Sequence, residues 1–322
     1  MRALLTFILF FTSLLCSQVR ADTHSDSVLH RILKIKNDTA RLDSMYRYGR
    51  ALRHKHPKEA IIVGETLLDE ANSLHNLPRA ERANFLLATC YYELHDFDQS
   101  IKYYLDELRI EKELKQYDRQ IRTMHDMGII YDITHDLENE KKYVIECLQI
   151  CEQHKNEKEV WSQRTYLLDN LATIYKKEEK LDTAIKIYQQ VIELARKADD
   201  TDQQVSSLAN MAIALKSNKD YQRSLTAYND ALSLLDTVRG ADGYAVILDN
   251  MAVLFYNMGD MPRSEQYALR ALNLSRLMNN IDLKRDAYET LKNVYIKQKR
   301  FEEAVDYFSK WSDIKDTLFN DE

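Results

Sequence analysis

Histidine and carboxylate side chains are the groups in this chain that could hold a metal ion or act on a substrate. His54 and His56 flank one lysine, a spacing that could begin a metal site. We expect a solvated turn there instead, because further ligands are missing from the pattern. His125 and Asp126 lie on an expected helix, where hydration explains both polar side chains. The sequence therefore predicts no metal site.

Catalytic motifs do not occur in the sequence. It contains no Gly-rich phosphate loop, no Gly-x-Ser-x-Gly turn and no His-Glu-x-x-His helix. Acid pairs such as Glu178-Glu179 and Glu302-Glu303 are typical of hydrated helix surfaces. We therefore predict a protein that is not an enzyme and that needs no cofactor.

A repeat sets the elements that position these groups. A small residue recurs at Ala88, Gly128, Ala172, Ala212 and Ala252, with Lys292 in the same slot of the last copy. The steps are 40, 44, 40, 40 and 40 residues, and an aromatic or large apolar residue follows each slot by three places. A fixed period of this size indicates a solenoid. Since the chain has only 6 glycines and 3 prolines, we predict an all-α fold.

Two cysteines one helical turn apart, Cys147 and Cys151, could form a redox pair or a metal site. Later copies of the repeat carry Val191 and Ala231 where this copy has Cys147. That equivalence favours small buried side chains without chemistry of their own.

The N-terminus has the pattern of a secretory signal peptide over residues 1–21. A basic Arg2 precedes an apolar run, and Val19-Arg20-Ala21 ends it. Lipidation of Cys16 is an alternative, although Leu15 stands where lipoprotein processing needs a small residue. An uncleaved anchor is a further alternative. We predict an exported protein of the periplasm or cell envelope.

The domain organisation follows from the signal and the repeat. Residues 22–38 form a polar segment and a short helix, and residues 39–322 form the solenoid. Within the solenoid, 39–77 is a degenerate first repeat and the regular repeats cover about 81–319. Loss of residues 1–21 would take the formal charge from −6 to −8, and such a surface argues against nucleic-acid binding.

The slots resemble those of the tetratricopeptide repeat (TPR) family, a helix–turn–helix unit. The resemblance implies a right-handed superhelix, an α-solenoid of about seven helix pairs. Repeats of about 40 residues behind a signal peptide resemble the exported sensor half of bacterial membrane-spanning TPR regulators. Segments near both ends, Asp38–Leu42 and Lys315–Asn320, carry this second resemblance.

The TPR resemblance also implies a concave groove lined by the first helix of each pair. On this chain the groove residues are Tyr166, Asp169, Asn170, Lys176, Asn210, Lys216, Asp249, Asn250, Tyr256 and Glu289. A side-chain amide both donates and accepts hydrogen bonds, which suits the backbone of an extended peptide. Chaperone-binding TPRs hold a carboxylate with lysines where this chain has Asp169, Asp249 and Glu289. The resemblance therefore implies a ligand with some positive charge.

Three functions remain open at this point. The first is a non-enzymatic exported scaffold that holds a protein or peptide in the groove. The alternative is a sensory or regulatory protein that acts with a membrane-bound signalling partner, and a third is purely structural scaffolding of an envelope complex. Apolar residues in the last helix, Trp311, Leu318 and Phe319, could form the docking patch for that partner.

Overall fold

The computed structural model describes residues 23–235 and 241–320, and every regular element in these ranges is a helix. The helices are α1 (Thr23–Leu33), α2 (Asp38–Leu52), α3 (Pro57–Ser73), α4 (Leu77–Glu93), α5 (Phe97–Glu113), α6 (Tyr117–Ile133), α7 (Leu137–Gln153), α8 (Lys158–Trp161), α9 (Arg164–Lys177), α10 (Leu181–Lys197), α11 (Thr201–Ser217), α12 (Tyr221–Leu234), α13 (Ala241–Met258), α14 (Met261–Leu277), α15 (Ile281–Lys297) and α16 (Phe301–Asn320). The prediction of an all-α fold is confirmed. Within the described ranges no helix is both long and apolar enough to cross a membrane.

Consecutive helices pack as antiparallel pairs in two compact units. Unit 1 extends to Val160 and contains the pairs α2–α3, α4–α5 and α6–α7. Unit 2 begins at Trp161 and contains the pairs α9–α10, α11–α12, α13–α14 and α15–α16. The two units together contain the seven helix pairs that the repeat predicts.

The 40-residue period has a simple structural cause. Helices such as α4, α5, α11 and α15 are each 17 residues long, and three-residue links join most neighbours. Two such helices and two such links make one repeat. Each helix is therefore about 25 Å long at 1.5 Å per residue.

The three-residue links end their helices in one recurrent way. After α11, Asp220 N–H donates to the carbonyl of Leu215 and Lys219 N–H donates to that of Lys216. Lys219 has a φ of 62°, the left-handed conformation of a Schellman cap. Asp220 then caps α12 by accepting from the Arg223 N–H. Each link thus stops one helix and starts the next.

The repeat slots form the core of each pair. Ala172, Ala212 and Ala252 are fully buried, so the two helices of a pair approach closely. In pairs such as α4–α5 and α15–α16, aromatic rings complete the contact. The ring pairs are Tyr91–Tyr103 at 5.5 Å, Tyr131–Tyr143 at 5.7 Å, Phe255–Tyr267 at 5.2 Å and Tyr295–Tyr307 at 5.4 Å between centroids.

Two segments differ from the sequence-based expectation. The short helix expected within residues 22–38 begins at Thr23 and ends at Leu33, so it takes up most of the expected polar segment. The stretch around 153–158, within the one repeat step of 44 residues, leads into the short helix α8. There Val160 is buried, and its carbonyl accepts from the Cys151 thiol at 3.3 Å. The four extra residues of this repeat therefore add a packed turn.

Candidate functional site

The first helices of the four pairs in unit 2 carry matched polar residues. Helices α9, α11, α13 and α15 pack beside one another in this order. The 40-residue register places Asn170, Asn210 and Asn250 at the same position of the first three, and Thr290 follows on α15. We call the three asparagines the amide row. It lies on the surface for which the TPR resemblance predicts a groove.

The three asparagines of the amide row are half-buried and differ in their hydrogen bonds. Asn210 Nδ2 donates to Asp169 Oδ2 at 3.4 Å. Asn170 and Asn250 make no side-chain hydrogen bond to any described residue. A free carboxamide offers two donors and one acceptor. Two members of the row are therefore available to a ligand.

Asp169 contributes more to the contact between helices than its assignment to the groove predicts. It is only 7% exposed and accepts from Ser207 Oγ at 2.5 Å as well as from Asn210. Burial raises the pKa of its carboxyl, and these two hydrogen bonds oppose the rise. Asp169 thus joins α9 to α11.

Asp249 occupies the same position on α13 with weaker support. Burial raises the pKa of its carboxyl to about 6, and the nearby Asp286 adds to the rise. A hydrogen bond with Thr290 and the charge of Lys216 act in the opposite direction. One oxygen, Oδ1, is buried without a hydrogen-bond partner among the described residues. This carboxyl is the less satisfied of the two.

Lys176 and Lys216 lie at matching positions on α9 and α11, nearly two turns beyond the acids. Both are half-buried, and burial lowers the pKa of both ammonium groups. The charge of Lys216 lowers the pKa of Lys176 further, while that of Asp169 raises it. Neither lysine has an ion pair or hydrogen bond with a described residue.

The remaining predicted residues also lie along these four helices. Tyr166 is 47% exposed on α9, and Tyr256 is half-buried on α13. Glu289 is exposed on α15, where one oxygen lies 3.7 Å from Lys292 Nζ. The structure therefore places all ten predicted groove residues on the first helices of unit 2. Their contact with a ligand stays a prediction.

A buried acid cluster in unit 1 was missed by the sequence analysis. Glu81, Glu107 and Glu111 are 4%, 3% and 1% exposed, and carboxylate oxygens of the three lie within 4.8 Å of one another. Arg119 pairs with Glu81 at 2.5 Å, and Thr123 donates to Glu111 at 3.1 Å. A sequence signal existed, because Glu107 fills the slot that holds Cys147, Val191 and Ala231 in later copies.

The cluster holds its protons more tightly than free glutamates do. Burial raises the pKa of Glu107 to about 10 and that of Glu111 to about 8. A divalent ion would have to displace these protons, because it binds charged carboxylates. Within the described residues, this is the one group of three or more His, Cys, Asp or Glu side chains close enough to hold an ion.

The histidines of the sequence analysis pair with carboxylates that were not expected beside them. His54 Nδ1 lies 2.8 Å from Glu93, and His56 Nδ1 lies 3.6 Å from Glu59. The Glu93 contact joins segments far apart in sequence, which explains why the sequence did not reveal it. These are separate pairs, each with one carboxylate.

The cysteines are buried, as the slot pattern predicts. Cys90, Cys147 and Cys151 are free thiols. Burial raises the pKa of the Cys90 thiol to about 12 and that of Cys147 still further. Thiols held neutral in this way are poor nucleophiles.

The last helix carries exposed apolar residues besides those that the sequence pattern names. Trp311 packs against the core of unit 2, and its ring lies 4.5 Å from Lys292 Nζ. The exposed apolar residues of α16 are Phe301, Val305 and Phe308, at 63%, 68% and 52%. Phe308 lies one turn before Trp311, and their ring centroids are 6.0 Å apart, so the exposed apolar residues adjoin Trp311. The side chains of Leu318 and Phe319, Cys16 and the predicted signal peptide 1–21 lie outside the described residues.

Comparison with known proteins supports the repeat assignment. Residues 163–237 match the family model described as tetratricopeptide repeat. No curated protein matches the sequence. One solved structure with a similar fold is BtubC (BKLC) from P. vanneervenii, at 17% identity and a TM-score of 0.59, covering 69% of this chain and 92% of that one.

Two further solved structures have names that mention sensing. The quorum sensor NprR from B. thuringiensis has a TM-score of 0.58 and 19% identity, covering 85% of this chain and 74% of its own. A signal-transduction ATPase with a TPR sensor, from Pyrococcus horikoshii, has a TM-score of 0.59 and 16% identity, covering 91% and 46%. At these identities the likeness concerns the fold. Residues 163–237 therefore match the tetratricopeptide repeat family, and the helix pairs have the TPR-like solenoid fold of these solved structures.

Proposed function

We propose that unit 2 is a non-enzymatic scaffold that binds an extended protein or peptide segment across α9, α11, α13 and α15. The observation that carries the proposal is the pair of free amides, Asn170 and Asn250, at one position of two helices with Asn210 between them. An extended backbone presents donors and acceptors in alternation, which such amides can match. The fold supports the same role, since the quorum sensor and the TPR sensor named above share it.

A double substitution tests this groove. Asn170→Ala combined with Asn250→Ala should weaken binding of peptides selected from a random display library by about tenfold or more, because two amides lose their bonds. Asn210 is a poorer target, since it already donates to Asp169. Titration of labelled peptides by fluorescence anisotropy measures the effect.

The matched control is Asn229→Ala with Asn273→Ala. Both asparagines are exposed, on the second helices α12 and α14. The control should bind like the wild type. Equal binding by all three proteins, or a selection that yields no binding peptide, would refute the groove assignment.

The alternative is a sensor that passes a signal to a membrane-bound partner. Exposed Phe301, Val305 and Phe308 on α16 favour it, since an apolar face of this kind is typical of protein contacts. We also propose export, on the sequence pattern of residues 1–21. Crosslinking in cells, followed by mass spectrometry of the envelope fraction, tests both ideas.

The expected result is a mature chain that begins at Asp22 and a crosslink to a membrane protein. The crosslink should disappear in a variant with serine at positions 301, 305 and 308. A chain acylated at Cys16 would show that the protein is anchored as a lipoprotein and is not cleaved after Ala21. A crosslink that is unchanged in the serine variant would contradict the role of the exposed apolar residues of α16 in binding the partner.

A further inference from the structure

A pocket lies beside the C-terminal ends of α9 and α11. Its volume is about 500 Å³, and Lys176, Lys177, Glu179, Leu181 and Ser217 line it. Lys216 immediately precedes Ser217 on α11. Lys176 therefore lines the pocket, and Lys216 is next in sequence to a lining residue.

The two lysines are unlike the other lysines at helix ends in unit 2. A lysine in the last turn of a helix ordinarily interacts with the helix dipole from solvent. Lys197 at the end of α10 and Lys297 at the end of α15 are exposed in that way. Lys176 and Lys216 are instead half-buried, and burial together with the charge of Lys216 lowers the pKa of Lys176. Two neighbouring ammonium groups without an ion pair to a described residue favour an added anion.

Neither of the two acids near the lysines forms an ion pair with them. Asp169, the acid near Lys176, already accepts hydrogen bonds from Ser207 and Asn210. Asp249, the acid near Lys216, also faces Asp286 and Thr290. On the next link, Glu178 binds the Lys180 ammonium at 2.8 Å. Glu179, which lines the pocket, is the one carboxylate there that a bound anion would have to avoid.

Building on the peptide-binding role proposed above, we propose that Lys176, which lines this pocket, and the neighbouring Lys216 bind a carboxylate of the bound segment, in contrast to the positively charged ligand that the TPR resemblance implies. The lysines lie six residues beyond the amide row, about 9 Å along each helix. A segment held by its backbone at the row could therefore direct an acidic side chain, or its own C-terminal carboxylate, toward the pocket. These lysines are two turns away from the positions that chaperone-binding TPRs use for their carboxylate.

Synthetic peptides test the site directly. The probes are a fluorescein-labelled Gly-Glu repeat peptide and its Gly-Gln counterpart, each with a free and with an amidated C-terminus. Binding to the full chain is measured by anisotropy at two salt concentrations. We expect the Glu peptide to bind at least about tenfold more tightly than the Gln peptide, with the difference shrinking at high salt.

Substitution of both lysines assigns the effect. Lys176→Met with Lys216→Met should abolish the preference for Glu. Lys186→Met with Lys197→Met should keep it, since these two lysines are exposed on α10. Circular dichroism verifies that both variants fold. A second readout is the reaction of Lys176 and Lys216 with trinitrobenzenesulfonate, which the Glu peptide should slow.

Each outcome has a defined meaning. A lysine-dependent preference in both amidated and free peptides assigns a side-chain carboxylate, and one confined to the free C-terminus assigns the terminal carboxylate. Equal binding of Glu and Gln peptides, no binding of either, or a preference that survives the double substitution would overturn the anion site. Library peptides that bind through Asn170 and Asn250 without a preference for acids would leave the proposed function intact while refuting this inference.

Discussion

Glu107→Gln should stabilise the protein at neutral and alkaline pH. The carboxyl of Glu107 is 3% exposed, and burial raises its pKa from 4.5 to about 10. An acid with a raised pKa binds a proton more tightly in the folded state, so its contribution to stability is present below pH 4.5 and is lost as the pH rises toward 10. By pH 7 the loss amounts to as much as about 3 kcal/mol, at 1.36 kcal/mol per pH unit. Glutamine has the same shape and no proton to lose.

Urea unfolding followed by circular dichroism at pH 5 and pH 8 measures this effect. The stability of Glu107→Gln relative to wild type should increase between these pH values by about 2–4 kcal/mol. Glu113→Gln is the matched control on the same helix, because Glu113 is exposed. A difference that does not change with pH would show that Glu107 is ionised in the folded protein.

Repetition in the sequence determines most of the fold. Ala172, Ala212 and Ala252 share one slot, and all three are fully buried. Because each pair makes the same local contacts, one pattern repeated six times specifies helices, links and core together. The link around residues 153–158 lacks such a copy, and its short helix α8 was not predicted.

The candidate site was less accessible to sequence reasoning. Asn170 and Asp169 are adjacent on α9, and the pattern assigns both to the groove. In the structure, Asp169 bonds Ser207 on α11 at 2.5 Å, whereas Asn170 stays free. Which of two neighbouring polar residues faces the next helix depends on the packing angle between helices, which a period cannot supply.

The acid cluster illustrates the same limit. The slot pattern marks Glu107 as out of place among Cys147, Val191 and Ala231. It does not reveal that Glu81 lies beside it, since that contact joins two helices of one pair. Substitution in a core slot can therefore be detected from sequence, but the partner that makes it tolerable cannot.

Two tyrosines in one repeat slot should respond oppositely to loss of the hydroxyl. Tyr188 and Tyr228 are 40 residues apart and both fully buried. The Tyr188 hydroxyl lies 2.8 Å from Thr173 Oγ1, whereas the Tyr228 hydroxyl has no hydrogen-bond partner among the described residues. A buried hydrogen bond contributes about 1 kcal/mol, and an unpaired buried hydroxyl costs about 1–3 kcal/mol. Tyr188→Phe should therefore destabilise the protein, and Tyr228→Phe should stabilise it.

The comparison needs no further control, because each variant removes the same atom from the same position of its pair. Urea unfolding at pH 7 should place the two variants about 2 kcal/mol or more apart, on opposite sides of the wild type. Burial and the charge of Asp249 raise the pKa of Tyr228. The measurement therefore also tests the surroundings of Asp249 in the candidate groove. Destabilisation by Tyr228→Phe as large as by Tyr188→Phe would mean that the Tyr228 hydroxyl has a partner, and Asp249, whose charge acts on this hydroxyl, is the candidate acid.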